Sequence, residues 1–494
     1  MVPSELSALA PLVLVVGLAV AVVIVDMVRP GRDDLVGAVT GIGLFIGMVF
    51  VALASLDGTR DVFGGAYRRD QLTGFLDLLF LAIALLTVLF APDYLRVRRL
   101  PMAEFCATLL FAISGAMILG GARDLLVLFL GLELLVLPGY MLAGYAKRDG
   151  YSTEGAIKYF LLGSFSSAIF LFGLALTWGY TGTTRVAEVA AALQAVAAGQ
   201  AALAPGLAIG LALLTTGVAF KIAAVPFHYW TPDAYQGSPT PVTGYLSVGP
   251  KIAAFALILR LFVEALAPLK AEWLPVVIVL AALTMTLGNL IALTQDNIKR
   301  MLAYSSIAHT GYILVGLAAY AGSPPGSAAE RAGLEGLLFY SAAYSFMNLG
   351  AFAVVALLQG RPGVTSQIES FAGLGRRAPV AGAVMTLFLL SLTGIPPLAG
   401  FFAKAYVILA AVEAGGWVAV LAVVAVLNAA AAAFYYLRVV VFMYMRDAPD
   451  NAPPVRSGWP LQVGLAMAAI LTVVIGLVPG GVIDLVRGAA LALP

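Results

Sequence analysis

One cysteine, two histidines and 11% charged residues are what this 494-residue chain has little of. A single thiol, Cys106, allows no intrachain disulfide, and the distant pair His228 and His309 makes no metal-ligand pattern. No iron–sulfur, haem or zinc site is therefore expected. The chain also lacks a GxxxxGKS/T phosphate loop and a dinucleotide-binding glycine fingerprint on a strand. Any work it does must draw on chemistry held elsewhere. With a formal net charge of +2 and no basic run, nucleic acid is not expected as a partner.

What remains is apolar. Hydrophobic residues make up 62% of the chain, more than the polar surface of a water-soluble protein can cover. Apolar stretches of about 20 residues recur from end to end, the length a helix needs to cross the hydrocarbon layer, whereas barrel strands alternate over about ten. The fold class expected is an all-α polytopic membrane protein. Windows between polar breaks place spans near 8–28, 34–55, 71–91, 101–120, 123–145, 155–181, 203–237, 241–267, 272–294, 299–321, 334–359, 379–412, 415–444 and 460–480, about fourteen crossings. The first cations, Arg29 and Arg32, follow the first apolar run, which reads as a retained span and not a cleaved leader. Residues 183–200 are too polar to span and are expected to form a short surface helix, and 448–460 is a proline-rich turn. Loops after odd-numbered spans hold fourteen lysines and arginines, Arg361 and Arg456 among them, against eight on the other side. That excess predicts a multi-pass protein of the inner (plasma) membrane with odd loops in the cytoplasm and both termini outside.

Self-similarity organises the spans further. Asp124, Gly139-Tyr140 and Leu142 recur as Asp296, Gly311-Tyr312 and Leu314 at a constant offset of 172. The stretch "EGAIKYFLLGSF" (154–165) recurs as "EGLLFYSAAYSF" (335–346), and Pro226 with Ala234-Tyr235 recurs as Pro397 with Ala405-Tyr406. Matching spans lie five apart, and an odd number reverses orientation, so two inverted five-helix repeats are expected, each with one broken helix. The chain divides into a three-helix segment (1–100), a first repeat (101–267), a second repeat (272–445) and a C-terminal helix (446–494).

A charge at the centre of a membrane helix costs roughly 2.5–3.5 kcal/mol on insertion scales, so each one needs a reason. Glu133 in "LLVLFLGLELLVLPGYML" lies about ten residues from either end of its span, too deep for its short stem to reach water. It reads as a partner for a lysine, the plain alternative being a protonated carboxyl in a helix contact. Lys221 precedes "AAVPFH", where Pro226 removes a backbone donor and must break the helix. Freed carbonyls at membrane depth are tolerated only in protein or beside a water-filled cavity, so this amine is expected to exchange protons and not to snorkel to an interface. Lys251 follows Pro250 well inside its span, and Lys404 sits past Pro396-Pro397 and Gly400, in the counterpart of the region around Lys221. Lys158 lies near a span start, four residues after Glu154, where an ordinary first-turn ion pair is the competing explanation. His309, with Tyr304, Ser305 and Ser306 nearby, is either a satisfied hydrogen-bonding residue or a proton relay. His228 is open between the two. Asp77, Glu104, Glu264 and Glu413 fall near expected span ends and read as interfacial.

Such a set allows one kind of chemistry. A buried amine exchanges its proton according to whether a carboxylate is near, and a row of amines joined by hydroxyls, imidazole and water passes charge along the midplane. At this point the motifs "PFHYWTPDAYQGSPTPVTGYLSVGPKIAAF", "TQDNIKRMLAYSSIAHTGYILVGL" and "SLTGIPPLAGFFAKAYV" resemble the antiporter-like membrane subunits of respiratory complex I (NADH-quinone oxidoreductase). "WTPDAYQGSPTPVT" followed by "PK" is similar to the N branch of that family more than to its L or M siblings. The resemblance covers most of spans four to thirteen; the first hundred residues carry no matching motif. It implies a proton-translocating subunit in which Glu133 and Lys221 couple, Lys251 relays and Lys404 forms the exit, with Lys158 also matched. It further implies K-like and M-like membrane neighbours, with NADH, flavin, clusters and quinone site in other subunits. The alternative is a subunit of a multi-subunit Mrp-type cation/proton antiporter, which shares the fold and most motifs. A third reading is a membrane scaffold whose charges serve assembly alone.

Overall fold

A computed structural model describes residues 3–55, 58–359, 365–449, 454–455 and 457–493. Arg361, Arg456 and part of the 448–460 turn lie outside the described residues. The N-terminal segment holds α1 (Pro3–Val28), α2 (Asp33–Ala54), a hairpin of β1 (Arg60–Val62) and β2 (Tyr67–Arg69), and α3 (Gln71–Arg98). Next come α4 (Met102–Gly121), α5 (Leu125–Ala143), α6 (Gly150–Thr181), the short α7 (Val186–Ala197), α8 (Pro205–Lys221), α9 (Trp230–Gly237) and α10 (Thr240–Ile258). The second half holds α11 (Lys270–Leu293), α12 (Ile298–Gly322), α13 (Ala328–Gln359), the one-turn α14 (Leu374–Arg377), α15 (Pro379–Thr393), α16 (Ala399–Ala414) and α17 (Gly416–Met445). Last are α18 (Trp459–Leu477) and α19 (Gly480–Leu491). Among the described residues twelve helices are long and apolar enough to cross a membrane. The pairs α8/α9 and α15/α16 supply two more crossings, each interrupted, giving the expected fourteen.

Polar residues set the helix ends. Asp70, Asp124 and Asp149 cap α3, α5 and α6 by accepting from Thr73, Leu126 and Tyr151 backbone N–H groups at 2.8, 2.9 and 3.0 Å. Asn297 caps α12 through Lys299 N at 3.0 Å and Arg300 N at 3.2 Å. These side chains satisfy donors that the first turn leaves free.

The repeats recur in packing as well as in sequence. A Cβ on Gly115 of α4 would stand 2.4 Å from the backbone N of Leu135 in α5, and one on Gly288 of α11 would stand 2.7 Å from that of Ala308 in α12. Both pairs are related by an offset of 173. Only glycine permits backbones to approach this closely, the small-residue packing common between membrane helices. Around the core, α10, α12 and α13 are enclosed almost completely, while α2, α5, α6 and α17 present Phe45, Leu130, Phe165 and Trp417 outward. The outward apolar belt faces lipid and the enclosed helices carry the polar side chains.

Three features were not expected: the hairpin 60–69, the twelve-residue α19, and a seven-residue π-helical extension of α10 over Leu259–Ala265.

Candidate functional site

Proline removes a donor and so frees the carbonyl four residues back. At Pro250 that carbonyl belongs to Leu246, and the Tyr235 hydroxyl donates to it at 2.9 Å. At the first break, α8 ends at Lys221 and α9 starts at Trp230. The indole of Trp230 donates to Phe220 O at 3.2 Å, Thr310 donates to Ile222 O at 2.9 Å, and Thr284 accepts from Val225 N at 2.9 Å. At the second break, α15 ends at Thr393, Gly394 takes φ +95, and Lys404 Nζ donates to Leu392 O at 3.0 Å and Thr393 O at 2.7 Å. A cation on the free C-terminal carbonyls of a half-helix satisfies both the hydrogen bonds and the local dipole. Each break carries a cis prolyl peptide, Val225-Pro226 and Pro396-Pro397.

Among the described residues four lysines are buried with their amines on neutral oxygens: Lys299, on two carbonyls at the end of α9, and the three that follow. Lys221 Nζ reaches α6, donating to Ser167 Oγ at 2.8 Å and Gly163 O at 3.5 Å. Lys251 Nζ donates to Ser306 O at 2.8 Å, Ser306 Oγ at 2.6 Å and Thr310 Oγ1 at 3.2 Å. Lys404 Nζ also lies 4.9 Å from the centre of the Tyr312 ring, within cation–π range. His309 is held on both sides: Nδ1 lies 2.7 Å from the Tyr340 hydroxyl and Nε2 3.2 Å from that of Tyr436, which also meets Ser305 Oγ. Beyond, Tyr435 donates to Asn289 at 2.9 Å, and Asn289 donates to Asn428 at 3.2 Å.

The stretch Ser305–Tyr312 of α12 therefore touches the surroundings of all three lysines, though only the Lys251 amine bonds to it. Ser306 and Thr310, one turn apart, face Lys251; Ser305, His309 and Tyr312 face α13, α17 and Lys404. Thr310 links two lysine neighbourhoods directly, accepting from Lys251 and donating to the carbonyl next to Lys221.

Two expectations change. Among the described residues no ion pair joins Glu133 to Lys221: Oε1 of Glu133 has no hydrogen-bond partner, because the Lys221 amine turns to α6. Lys158 stands apart from the row, with a side chain 43% exposed, bonded to Glu154 and Asp233 at 2.6 Å each. Arg300 holds the other Asp233 oxygen at 2.7 Å, and Lys299 donates to Gln236 O and Ser238 O, so α9 is tied to α6 and α12 by charge. The offset that aligns Pro226 with Pro397 sets Asp233, not Lys221, opposite Lys404. Lys221 closes the half-helix before its break, whereas Lys404 belongs to the one after.

Other side chains went unnoticed in the sequence. Ser167, Thr310, Tyr312, Tyr340 and Tyr436 carry the hydrogen bonds, and their only signal was polarity inside otherwise apolar runs. Asp77 and Glu264, read as interfacial, are buried with Arg69 and Arg260 in ion pairs at 3.4 and 2.6 Å. Glu104 and Glu413 are exposed. His228 is buried beside Tyr229, its Nδ1 without a partner.

Comparison with known proteins adds the following. Residues 122–428 match the family described as NADH:quinone oxidoreductase/Mrp antiporter, transmembrane. The NADH-quinone oxidoreductase subunit N of Trichlorobacter lovleyi is 40% identical, over 98% of this chain and 97% of that protein. That of Chloroflexus aggregans is 41% identical, over 99% and 98%. Among solved structures, a chain of respiratory complex I from Thermus thermophilus with bound aureothin has TM-score 0.79 and 33% identity, covering 97% of this chain and 100% of its own. A chain of the Mrp complex from Dietzia has TM-score 0.84 at 21% identity, covering 99% and 97%, a likeness of fold.

Proposed function

The chain belongs to the NADH:quinone oxidoreductase/Mrp antiporter transmembrane family, and from that premise we propose that it is the N-type, proton-translocating membrane-arm subunit of an NADH:quinone oxidoreductase. Identity near 40% along almost the whole length of subunits with that name favours this over an Mrp antiporter, which shares the family and is matched in structure at 21% identity. Its partners are the other membrane subunits of the complex, with K-like and M-like neighbours, in the plasma membrane and with both termini outside. Redox chemistry and its cofactors reside in those other subunits.

One observation carries the mechanism: on one segment of α12, Ser306 and Thr310 hold the Lys251 amine, Thr310 also reaches the carbonyl next to Lys221, and the same segment bears His309 and sets the Tyr312 ring beside Lys404. Hydroxyls both donate and accept, so a proton received on one side of Ser306 or Thr310 is released on the other. Neutral imidazole does the same through its two nitrogens. Glu133 makes no direct contact with Lys221, so its attraction for that amine varies with any displacement of α5 or α8. Lys221, Lys251, His309 and Lys404 form the transfer row, and Lys158 holds α9 in place for it.

The test is Lys221→Ala in the assembled complex reconstituted in vesicles. Proton pumping is expected to be lost; a pure scaffold would leave it intact. Purification in mild detergent with co-purifying NADH:quinone activity establishes the context.

A further inference from the structure

A second buried charge cluster lies where α2 joins α3, α4 joins α5, and α10 runs into its π-helical segment. Arg260, fully buried, donates from Nε to Gly120 O at 2.9 Å, from Nη1 to Glu264 at 2.6 Å, and from Nη2 to both Asp70 oxygens at 2.9 and 3.0 Å and to Thr73 at 3.0 Å. Arg123 pairs with the other oxygen of Glu264, and Arg69 with Asp77 at 3.4 Å. Every one of these side chains is buried except Arg123, which is 15% exposed. The junctions concerned all follow even-numbered spans and so share one face of the membrane, the face opposite the cytoplasm on the topology proposed above.

The other face of the same repeat is built differently. There a polar cavity of about 1160 Å³, lined by Arg98, Lys147, Arg148 and Glu154, reaches Gly237 and Pro239 at the junction of α9 and α10. One end of the repeat thus admits water and the other is filled with paired charge.

The chemistry of the filled end is not that of a relay. Guanidinium does not give up its proton in proteins, so it cannot pass one on. Three guanidiniums matched by three carboxylates leave the cluster without net charge; what it denies an incoming proton is hydrated space and a free acceptor, every carboxylate being engaged by an arginine. We propose that Arg69, Arg123 and Arg260, fixed by Asp70, Asp77 and Glu264, form a proton barrier that closes the first repeat at this end. Protons entering from the cavity are thereby sent along the amine row to the second repeat. The proposal rests on the relay reading given above and adds the residues that give it direction.

Arg260 lies nine residues beyond Lys251 along α10, about 13 Å at roughly 1.5 Å per residue. Removing one unit charge at that distance, with an effective dielectric constant near 20, raises proton passage roughly eightfold. The experiment measures passive proton conductance of the reconstituted complex under an imposed potassium diffusion potential, without NADH. Arg260→Gln is expected to raise conductance about that much while electron transfer continues and fewer protons are pumped per electron. Adding Lys221→Met is expected to return conductance to the parent level. Parent-like conductance in assembled Arg260→Gln overturns the barrier, and so does a leak that survives Lys221→Met. Should Arg260→Gln not assemble, Arg123→Gln at the rim is read the same way. Intact pumping in Lys221→Met alone would sink the relay, whereas an unchanged Arg260→Gln conductance sinks only the barrier.

Discussion

Thr310→Val replaces a hydroxyl by a methyl of nearly equal size, so packing on α12 is kept while two hydrogen bonds beyond α12 vanish, together with the one to Ser306 O at 3.2 Å within it. One is the contact from Lys251 Nζ at 3.2 Å, the longest of that amine's three, and the other is the donation to Ile222 O at 2.9 Å. A hydrogen bond to a charged group contributes about 1.5–3 kcal/mol, and the longest of a set belongs at the low end. Loss of about 1.5 kcal/mol at the transfer step slows it roughly tenfold. The orphaned Ile222 carbonyl costs about 1–3 kcal/mol more in folding stability, without directly affecting transfer. The assay is NADH-driven quenching of a pH-sensitive dye in vesicles, with the amount of assembled complex measured independently. Thr310→Ser, which keeps the hydroxyl, is the control and should pump like the parent. A Thr310→Val complex that assembles normally and pumps at the parental rate refutes the hydroxyl link.

Gly394→Ala should slow pumping and lower the yield of complex, because the residue sits at φ +95 and an added Cβ would meet Lys404 Cδ at 3.0 Å; purified yield and dye quenching report both effects. Lys158→Ala should retain clearly more pumping than Lys251→Ala in the same vesicles, since a partly exposed pair contributes only about 0.2–1 kcal/mol. Gly115→Val should prevent accumulation of intact complex, as its side chain would collide with the α5 backbone; native gel electrophoresis reads the outcome. In the hairpin, the hydrogen bond from Arg68 holds the Asp61 carboxyl below its usual range. That contribution is complete above the unfolded carboxylate value near pH 3.9 and fades only as pH falls through the lower folded value, so hairpin amides should exchange at unchanged rates from pH 7 to pH 5 after correction for intrinsic chemistry.

Most of the architecture was legible because a membrane imposes a length on apolar runs and forbids loose backbone within them. The span expected at 299–321 falls within one residue of α12 (Ile298–Gly322) at each end because Asn297 and the "AYAGS" stretch mark its limits, and the prolines announced both breaks. The buried amines were legible for the same reason: a lysine in hydrocarbon has to be explained. Pairing was not. The sequence carries nothing that turns Lys221 toward Ser167 and away from Glu133, for that depends on how α6 crosses α8. Glu264 looked like the end of a span because a π-helical continuation of α10 has no signature that separates it from an ordinary helix terminus. Tyr340 and Tyr436 are aromatic residues in apolar helices, and only three-dimensional packing shows them bracketing one imidazole.

Since Ser306 and Thr310 tend one lysine while Tyr312 lies against another, the two halves of the molecule hang from a common shaft. A small roll of that helix withdraws ligands from Lys251 and moves the ring beside Lys404 in the same stroke. On the proposed relay their occupancies are then coupled, and kinetics that treat the two as independent compartments are expected not to describe turnover.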